Sequence, residues 1–162
     1  MKTILAAIDL SPVSNLVVAE AAAMARALGG KVILMTVLVE PVYVKEYAPP
    51  PRHIAKITRN HERAVRHRLA TIEQQLQSDF IPAATVVRRG SPASEILKEA
   101  EEQDATCIVL GSHGHTALHD LILGSTSQMV LKRASRPVLV IPPKMKKRRK
   151  AKIRVEAYQV ET

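Results

Sequence analysis

Short runs of apolar residues alternate along this chain with longer segments in which apolar residues recur every three or four positions. A short apolar run bounded by turn residues predicts a buried β-strand, and the longer spacing predicts a helix with one buried face. The strand-like runs lie at 3–8, 32–39, 83–87, 106–110 and 137–141. Strands that alternate with helices over this length predict an α/β fold, a doubly wound parallel sheet with helices on both faces.

Capping residues and helix breakers mark the ends of several predicted elements. Ser11 is a good N-cap, and Pro12 suits the first position of a helix that Gly29 ends. Ser91 and Pro92 predict the start of another helix in the same way. Two further helices and a proline-rich loop are predicted at about 54–77, 125–134 and 40–52.

Composition narrows the class of protein. Aromatic residues are only 2% of the chain, so the core is aliphatic, as in a parallel sheet packed by alanine-rich helices. No apolar run approaches the ~18 residues of a membrane span. The N-terminus runs directly into strand-like sequence without a signal peptide, which predicts a cytoplasmic protein. The single cysteine, Cys107, lies in an apolar strand run and is interpreted as a small core residue, with a redox role as the alternative.

The positive charge of the chain is concentrated at its C-terminus. The net charge is +9, and residues 144–162 hold eight Lys/Arg and two Glu. We predict one domain over 1–143 and a basic tail over 144–162. The tail is either a solvated segment or one whose residues 144–154 bind an anionic partner, nucleic acid or a lipid surface. No aromatic residues interleave the basic cluster, so it offers no base stacking.

A glycine pattern follows the fourth strand-like run. Gly111, Gly114 and Gly124 form G-x2-G-x9-G, and Ser125 and Thr126 follow. Glycine lets the backbone approach a ligand closely where it leaves a parallel strand. The last three of these residues predict a helix start, whose free N–H groups and positive dipole end attract phosphate. The pattern therefore predicts a nucleotide site, with glycine turns in an ordinary βα loop as the alternative.

Patterns of other nucleotide and hydrolase sites are absent from the sequence. It contains no Walker A Gly-Lys-Ser/Thr, no G-x-G-x-x-G and no G-x-S-x-G. No carboxylate or histidine is clearly placed to activate water on a γ-phosphate. The nucleotide is therefore interpreted as a ligand or signal, hydrolysed slowly at most. A slow ATPase or a nucleotidyl-transfer enzyme on the same sheet is the alternative.

Three segments of the chain resemble the universal stress protein family, in its ATP-binding branch. Residues 109–126 match the phosphate motif of that family without a gap, 136–142 match its last strand, and 3–11 match its first strand with the acidic residue at its tip. The resemblance covers about 1–143, with 40–65 matched by position only. It implies a Rossmann-like sheet of five parallel strands in the order 3-2-1-4-5. It also implies an ATP-binding regulator of the stress response that acts through contacts with an unidentified protein.

The resemblance implies roles for single residues at the switch point between strands one and four. Asp9 accepts hydrogen bonds from adenine or ribose, or only helps to cap the first helix. Val37 holds adenine through its backbone, or is plain core. Leu110 and Gly111 face the ribose. The residues that surround the phosphates with N–H and hydroxyl groups are Gly114, Gly124, Ser125 and Thr126.

The ligand implied by the resemblance is ATP or another adenine nucleotide, such as AMP or a cyclic nucleotide, with Mg²⁺ bridging phosphate oxygens. The sequence offers no dedicated protein cage for this ion. His113, His115 and His119 fall in the phosphate loop as H-x-H-x3-H, but zinc needs four well-placed ligands. We therefore predict no metal site of protein ligands and count His113 among the nucleotide-binding residues.

The last predicted strand, 137–141, lies at the edge of the implied sheet. A short apolar edge strand exposes unpaired backbone groups and needs cover. In the resembling family this strand pairs with its copy in a second chain. The resemblance therefore implies a homodimer through 137–141.

Overall fold

The elements alternate between strands and helices along the whole described chain. The computed structural model describes residues 1–39, 52–112 and 123–143, and the side chains of all of these except 52–55. In chain order, the elements are β1 (Thr3–Ala7), α1 (Ser14–Leu28), β2 (Lys31–Leu38), α2 (Arg52–Ser78), β3 (Ala83–Arg89), α3 (Pro92–Glu102), β4 (Cys107–Gly111), α4 (Ser125–Arg133) and β5 (Val138–Ile141). Every predicted strand and helix is present, within a few residues of its predicted bounds.

The five strands form one sheet in the order β3-β2-β1-β4-β5, and all four pairings are parallel. Leu5 in the central strand β1 lies beside Ile33 of β2 and Ile108 of β4. The doubly wound sheet and the strand order implied by the resemblance are thus confirmed. The order reverses between β1 and β4, since β2 and β3 extend to one side and β5 to the other.

Helices cover both faces of the sheet. Side chains alternate along β1, so Ile4 faces α1 and α2 whereas Leu5 faces α3 and α4. Val17 of α1 and Leu69 of α2 pack on the first face, and Val130 of α4 packs on the second. Burial on both faces explains why the strands read as continuous apolar runs rather than as alternating ones.

The start of α1 differs from the prediction. Ser11 and Pro12 do not begin the helix; Val13 is its N-cap residue, in αR geometry, and no side chain caps it directly. The chain first makes a turn, in which the Ser14 N–H donates to the Ser11 carbonyl at 3.0 Å. Leu10 precedes this turn with a φ of 62°, a left-handed conformation that a propensity argument does not predict. At the other end, Gly29 ends α1 with a φ of 60°, as predicted.

A buried carboxylate fixes α3 against β3. The Glu99 side chain is fully buried, and its Oε2 accepts a hydrogen bond from Arg88 Nε at 2.7 Å. Its Oε1 accepts a second one from Gln103 Nε2 at 2.9 Å. The hydrogen bond and charge of Glu99, with a smaller contribution from Glu102, raise the pKa of Arg88. Because a buried carboxylate without a cation is costly, this pair sets where α3 packs.

Two further predictions concern Cys107 and the loop at 40–52. Cys107 is buried in β4, and burial raises the pKa of its thiol, which favours the interpretation as a core residue. Residues 40–51 of the predicted loop lie outside the described residues, and Arg52 begins α2. None of the helices in the described ranges is long and apolar enough to cross a membrane.

We expect Gly30→Ala to be more destabilising than Gly29→Ala. A Cβ at Gly30 would lie 2.4 Å from the backbone oxygen of Lys2, so β1 or β2 would have to shift, at a cost of about 3 kcal/mol. At Gly29, where φ is 60°, an added Cβ meets nothing within 4 Å, and only the left-handed backbone costs about 1 kcal/mol. Urea denaturation of both variants measures the difference, and equal losses would contradict the close approach of Lys2 to Gly30.

Candidate functional site

A cavity of about 290 Å³ opens at the carboxyl ends of β1, β2 and β4, where the strand order reverses. Adjacent loops leave such a sheet in opposite directions at this point, which creates a crevice. Residues from the first turns of α1, α3 and α4 complete its walls. The described residues that line the cavity are Ala7, Ile8, Asp9, Val13, Ser14, Val17, Met35, Val37, Val39, Pro92, Ile96, Leu110, Gly111, Gly124, Ser125, Thr126 and Ser127.

The structure brings most of the sequence-predicted site residues together in this cavity. They come from the ends of three strands and from the start of α4. The predicted residues that line it are Asp9, Val37, Leu110, Gly111, Gly124, Ser125 and Thr126. His113 and Gly114 lie outside the described residues.

Asp9 stands at the mouth of the cavity, directly beyond β1. Its Oδ1 accepts a hydrogen bond from the Ser11 N–H at 2.9 Å and another from the Ser14 hydroxyl at 3.1 Å. Asp9 therefore fixes the turn before α1, which agrees with the structural interpretation of this residue. The residue is also exposed and lines the cavity, so the position agrees with ligand contact as well. The two roles are compatible, since a carboxylate has two acceptor oxygens.

The N-terminus of α4 forms the polar end of the cavity. Gly124 is the N-cap residue, with φ −61° and ψ 154°, and its carbonyl accepts the first helical hydrogen bond from the Gln128 N–H at 2.9 Å. The N–H groups of Ser125, Thr126 and Ser127 precede that bond, so the helix itself offers them no acceptor. These groups and the positive end of the helix dipole favour an anion at this end of the cavity.

Two hydrogen bonds attach the start of α4 to the end of β4, and a third joins the end of β4 to β5. The Gly124 N–H donates to the Ser112 carbonyl at 2.7 Å. The Ser127 hydroxyl donates to the Gly111 carbonyl, also at 2.7 Å. The Ser112 N–H in turn donates to the Ile141 carbonyl at 2.8 Å. The two ends of the segment 113–122 are therefore held together by described residues on both sides.

Several other lining residues are apolar. Val13 and Val17 come from α1, Met35 from β2 and Ile96 from α3. None of these four is among the residues predicted to bind the nucleotide. A usable signal existed, because the helix that follows each parallel strand begins at the same edge of the sheet.

The lining defines the chemistry of the site. Asp9 is its only acidic residue among the described ones, and none of these is Lys, Arg or His. An anion would therefore be held by N–H groups, hydroxyls and a helix dipole rather than by cationic side chains. Within the described ranges, no group of three or more His, Cys, Asp or Glu is arranged to hold a metal ion. The site suits a molecule with an apolar part and an anionic group.

Sequence relatives cover most of the chain. The model of the universal stress protein family matches residues 1–142. A universal stress protein of Thermus aquaticus is 34% identical over 146 residues, which are 86% of this chain and 98% of the relative. The universal stress protein MJ0577 of Methanocaldococcus jannaschii is 33% identical over 79 residues, 49% of each chain. This chain thus spans about half the length of several curated relatives it matches.

Solved structures agree with this result. The structure of MJ0577 aligns with a TM-score of 0.73 at 26% identity, covering 86% of this chain and 94% of that one. A universal stress protein from Archaeoglobus fulgidus, solved in complex with dAMP, aligns with a TM-score of 0.63 at 21% identity, covering 87% of this chain and 97% of that one. At that identity the second alignment shows the fold alone. By the match of its family model and its Thermus relative, the chain belongs to the universal stress protein family.

Proposed function

We propose that this chain is a nucleotide-responsive regulator of the stress response that binds ATP or another adenine nucleotide and acts through contacts with a protein partner. One observation carries the proposal: an apolar slot and a helix N-terminus meet in a single cavity. Each part alone is common in α/β proteins. Together they match a ligand that is apolar and flat at one end and anionic at the other.

In this proposal the adenine lies in the apolar part of the cavity. Val13, Val17 and Met35 provide aliphatic surface for the base, and Val37 lies near enough for a backbone contact. Asp9 accepts a hydrogen bond from adenine or ribose while its Oδ1 holds the turn before α1. Leu110 and Gly111 face the ribose, where glycine leaves room for it.

The phosphates lie at the N-terminus of α4. Gly124, Ser125 and Thr126 present N–H and hydroxyl groups there, and His113 and Gly114 belong to the same sequence motif. Mg²⁺ would neutralise phosphate charge, with hydroxyl oxygens and water as its further ligands. The Archaeoglobus fulgidus relative, solved with dAMP, supports an adenine nucleotide as the ligand.

Regulation is proposed to act through the edge of the sheet. The Gly124 N–H, the Ser112 backbone and the Ile141 carbonyl link the phosphate end of the cavity to β5 by two consecutive hydrogen bonds. β5 is an edge strand with half-buried Val138, Leu139 and Val140, so pairing with a second copy would cover it. A nucleotide that shifts α4 would thereby change the surface offered to a dimer partner or another protein.

We expect Thr126→Glu to weaken ATP binding at least tenfold, because its carboxylate would repel phosphates bound at the N-terminus of α4. An acidic residue in the first turn favours the helix, so the variant should remain folded. Thr126→Gln is the matched neutral control and should bind within about threefold of wild type. Calorimetry in the presence of Mg²⁺ measures the affinity of each protein for ATP, AMP and adenosine.

Adenosine separates the two ends of the site in this experiment. Its affinity should be the same for both variants at position 126, because it has no phosphate. A wild-type protein that binds none of the three ligands would contradict the proposed function. Equal ATP affinity for Thr126→Glu and Thr126→Gln would instead contradict only the placement of the phosphates at the N-terminus of α4.

Asp9→Asn is expected to weaken adenosine binding about fivefold without unfolding the protein. Asn keeps one oxygen for the bonds from Ser11 and Ser14, but its NH2 group replaces the second oxygen, so a ligand donor loses its acceptor at a cost of about 1 kcal/mol. Asp9→Ala should lose the bonds from Ser11 and Ser14 and roughly 2 kcal/mol of unfolding free energy. If adenosine binds Asp9→Asn as tightly as wild type, Asp9 serves only the turn before α1.

Val140→Pro should dissociate the proposed dimer while leaving the sheet intact. The Ile108 N–H donates to the Pro137 carbonyl, and the Ser112 N–H donates to the Ile141 carbonyl. Backbone groups of alternate residues of β5 therefore point to β4, and the N–H of Val140 points away from the sheet. Proline removes only that outward N–H. Sedimentation equilibrium should show at least about tenfold weaker dimerisation than for Val140→Ala, which keeps the N–H. An unchanged dimer, or a monomeric wild type, would contradict pairing through β5.

A further inference from the structure

A row of cations runs along the outer face of the first half of α2. Lys56, Arg59, Arg63 and Arg66 follow one another at spacings of three, four and three residues. Residues with these spacings lie on one face of a helix. All four are exposed, and none lies on the face that carries the buried Val65 and Leu69. We call these four residues the α2 ridge.

The hydrophobic core does not account for this part of α2. The helix has 27 residues and is about 40 Å long, whereas β2 has 8 residues and spans about 26 Å. Its described side chains from 56 to 64 include none that is buried, and Val65 is the first that is. The helix therefore extends past its core contacts at the end where the strands terminate.

The charges of the α2 ridge are not balanced within the described part of the chain. Like charges three or four residues apart destabilise a helix. Glu62 is the one acid in 56–68, and Arg66 and Arg89 both bind it. The hydrogen bond from Arg66, with the charge of Arg89, lowers the pKa of Glu62. The described residues offer no acidic partner to Lys56, Arg59 or Arg63.

We propose that the α2 ridge binds the phosphate backbone of double-stranded nucleic acid, independently of base sequence. A straight row of cations matches a linear polyanion, and three of the four are Arg, whose fork pairs with phosphate oxygens. The face carries no aromatic side chain on which unpaired bases could stack, which favours a duplex over a single strand. Ile57 is the one large exposed apolar side chain among the described residues of α2, which is too little to anchor the helix in a bilayer.

This surface is separate from the nucleotide cavity and from the basic tail. No member of the α2 ridge lines the cavity. The tail adds eight Lys/Arg of its own, so total binding to nucleic acid does not by itself test the ridge. The test therefore compares full-length variants that differ only within α2 or at a matched distant position.

The experiment measures the anisotropy of a short fluorescent DNA duplex of arbitrary sequence as a function of salt. Arg59→Gln/Arg63→Gln should lower the slope of log K against log salt by about 2, since each phosphate contact contributes about 0.9. Wild type should then lose about tenfold more affinity than this variant between 50 and 200 mM salt. Lys2→Gln/Arg26→Gln removes the same charge from exposed residues near the other end of the sheet and should keep the wild-type slope.

Two further measurements make the result decisive. Arg59→Lys/Arg63→Lys keeps the charge and should keep the slope, which excludes damage to the helix as the cause. Phosphatidylserine vesicles replace the duplex in a parallel titration, in which the double Gln variant should lose less affinity, relative to wild type, than it loses for the duplex. Equal slopes for the two Gln variants, or a loss confined to vesicle binding, would overturn the proposal. If the double Gln variant of α2 no longer melts cooperatively, Arg63→Gln alone replaces it. The expected decrease in the slope of log K against log salt is then about 1.

Discussion

The rest of this structure depends on burial of the parallel sheet on both faces. β1 and β4 have almost no exposed side chains, so each face needs a layer of helices. After nearly every strand, a helix must therefore return the chain to the edge of the sheet at which the next parallel strand begins. This requirement, rather than any local preference, fixes where all the strands end. Every carboxyl end lies at the same edge of the sheet, with the first turns of the helices beside it.

The site follows from that arrangement. The order reverses between β1 and β4, and the cavity opens at this point with helix N-termini around it. α1 and α3 contribute mostly aliphatic side chains, while α4 contributes N–H groups and hydroxyls. The division into apolar and polar lining thus reflects which helix presents valine or isoleucine to the cavity and which presents serine and threonine. The Arg88–Glu99 pair, remote from the chemistry, keeps the α3 side in place.

Apolar periodicity and a glycine motif are local signals, so the sequence predicts the strands and the helices, and the described residues of the predicted site line one cavity. Sequence reasoning failed where tertiary contacts decide. The start of α1 moved to Ser14 because Asp9 accepts the Ser11 N–H and Ser14 hydroxyl, and Leu10 takes a left-handed conformation. Val17 and Ile96 are buried, and only the fold shows that they also line the cavity. The strand order itself was implied by the family resemblance, because apolar periodicity does not show which strands lie next to each other in the sheet.

The attachment of both ends of the segment 113–122 has an evolutionary consequence. Ser112 and Gly124 are joined by a backbone hydrogen bond, so the sheet and α4 meet at a fixed junction that does not depend on the residues between them. Because this bond uses backbone atoms alone, it does not depend on which side chains the first turn of α4 carries. Replacement of Ser125 or Thr126, which line the cavity, would change the ligand that is preferred while the attachment stays in place. Members of one family can in this way diverge in specificity on one scaffold.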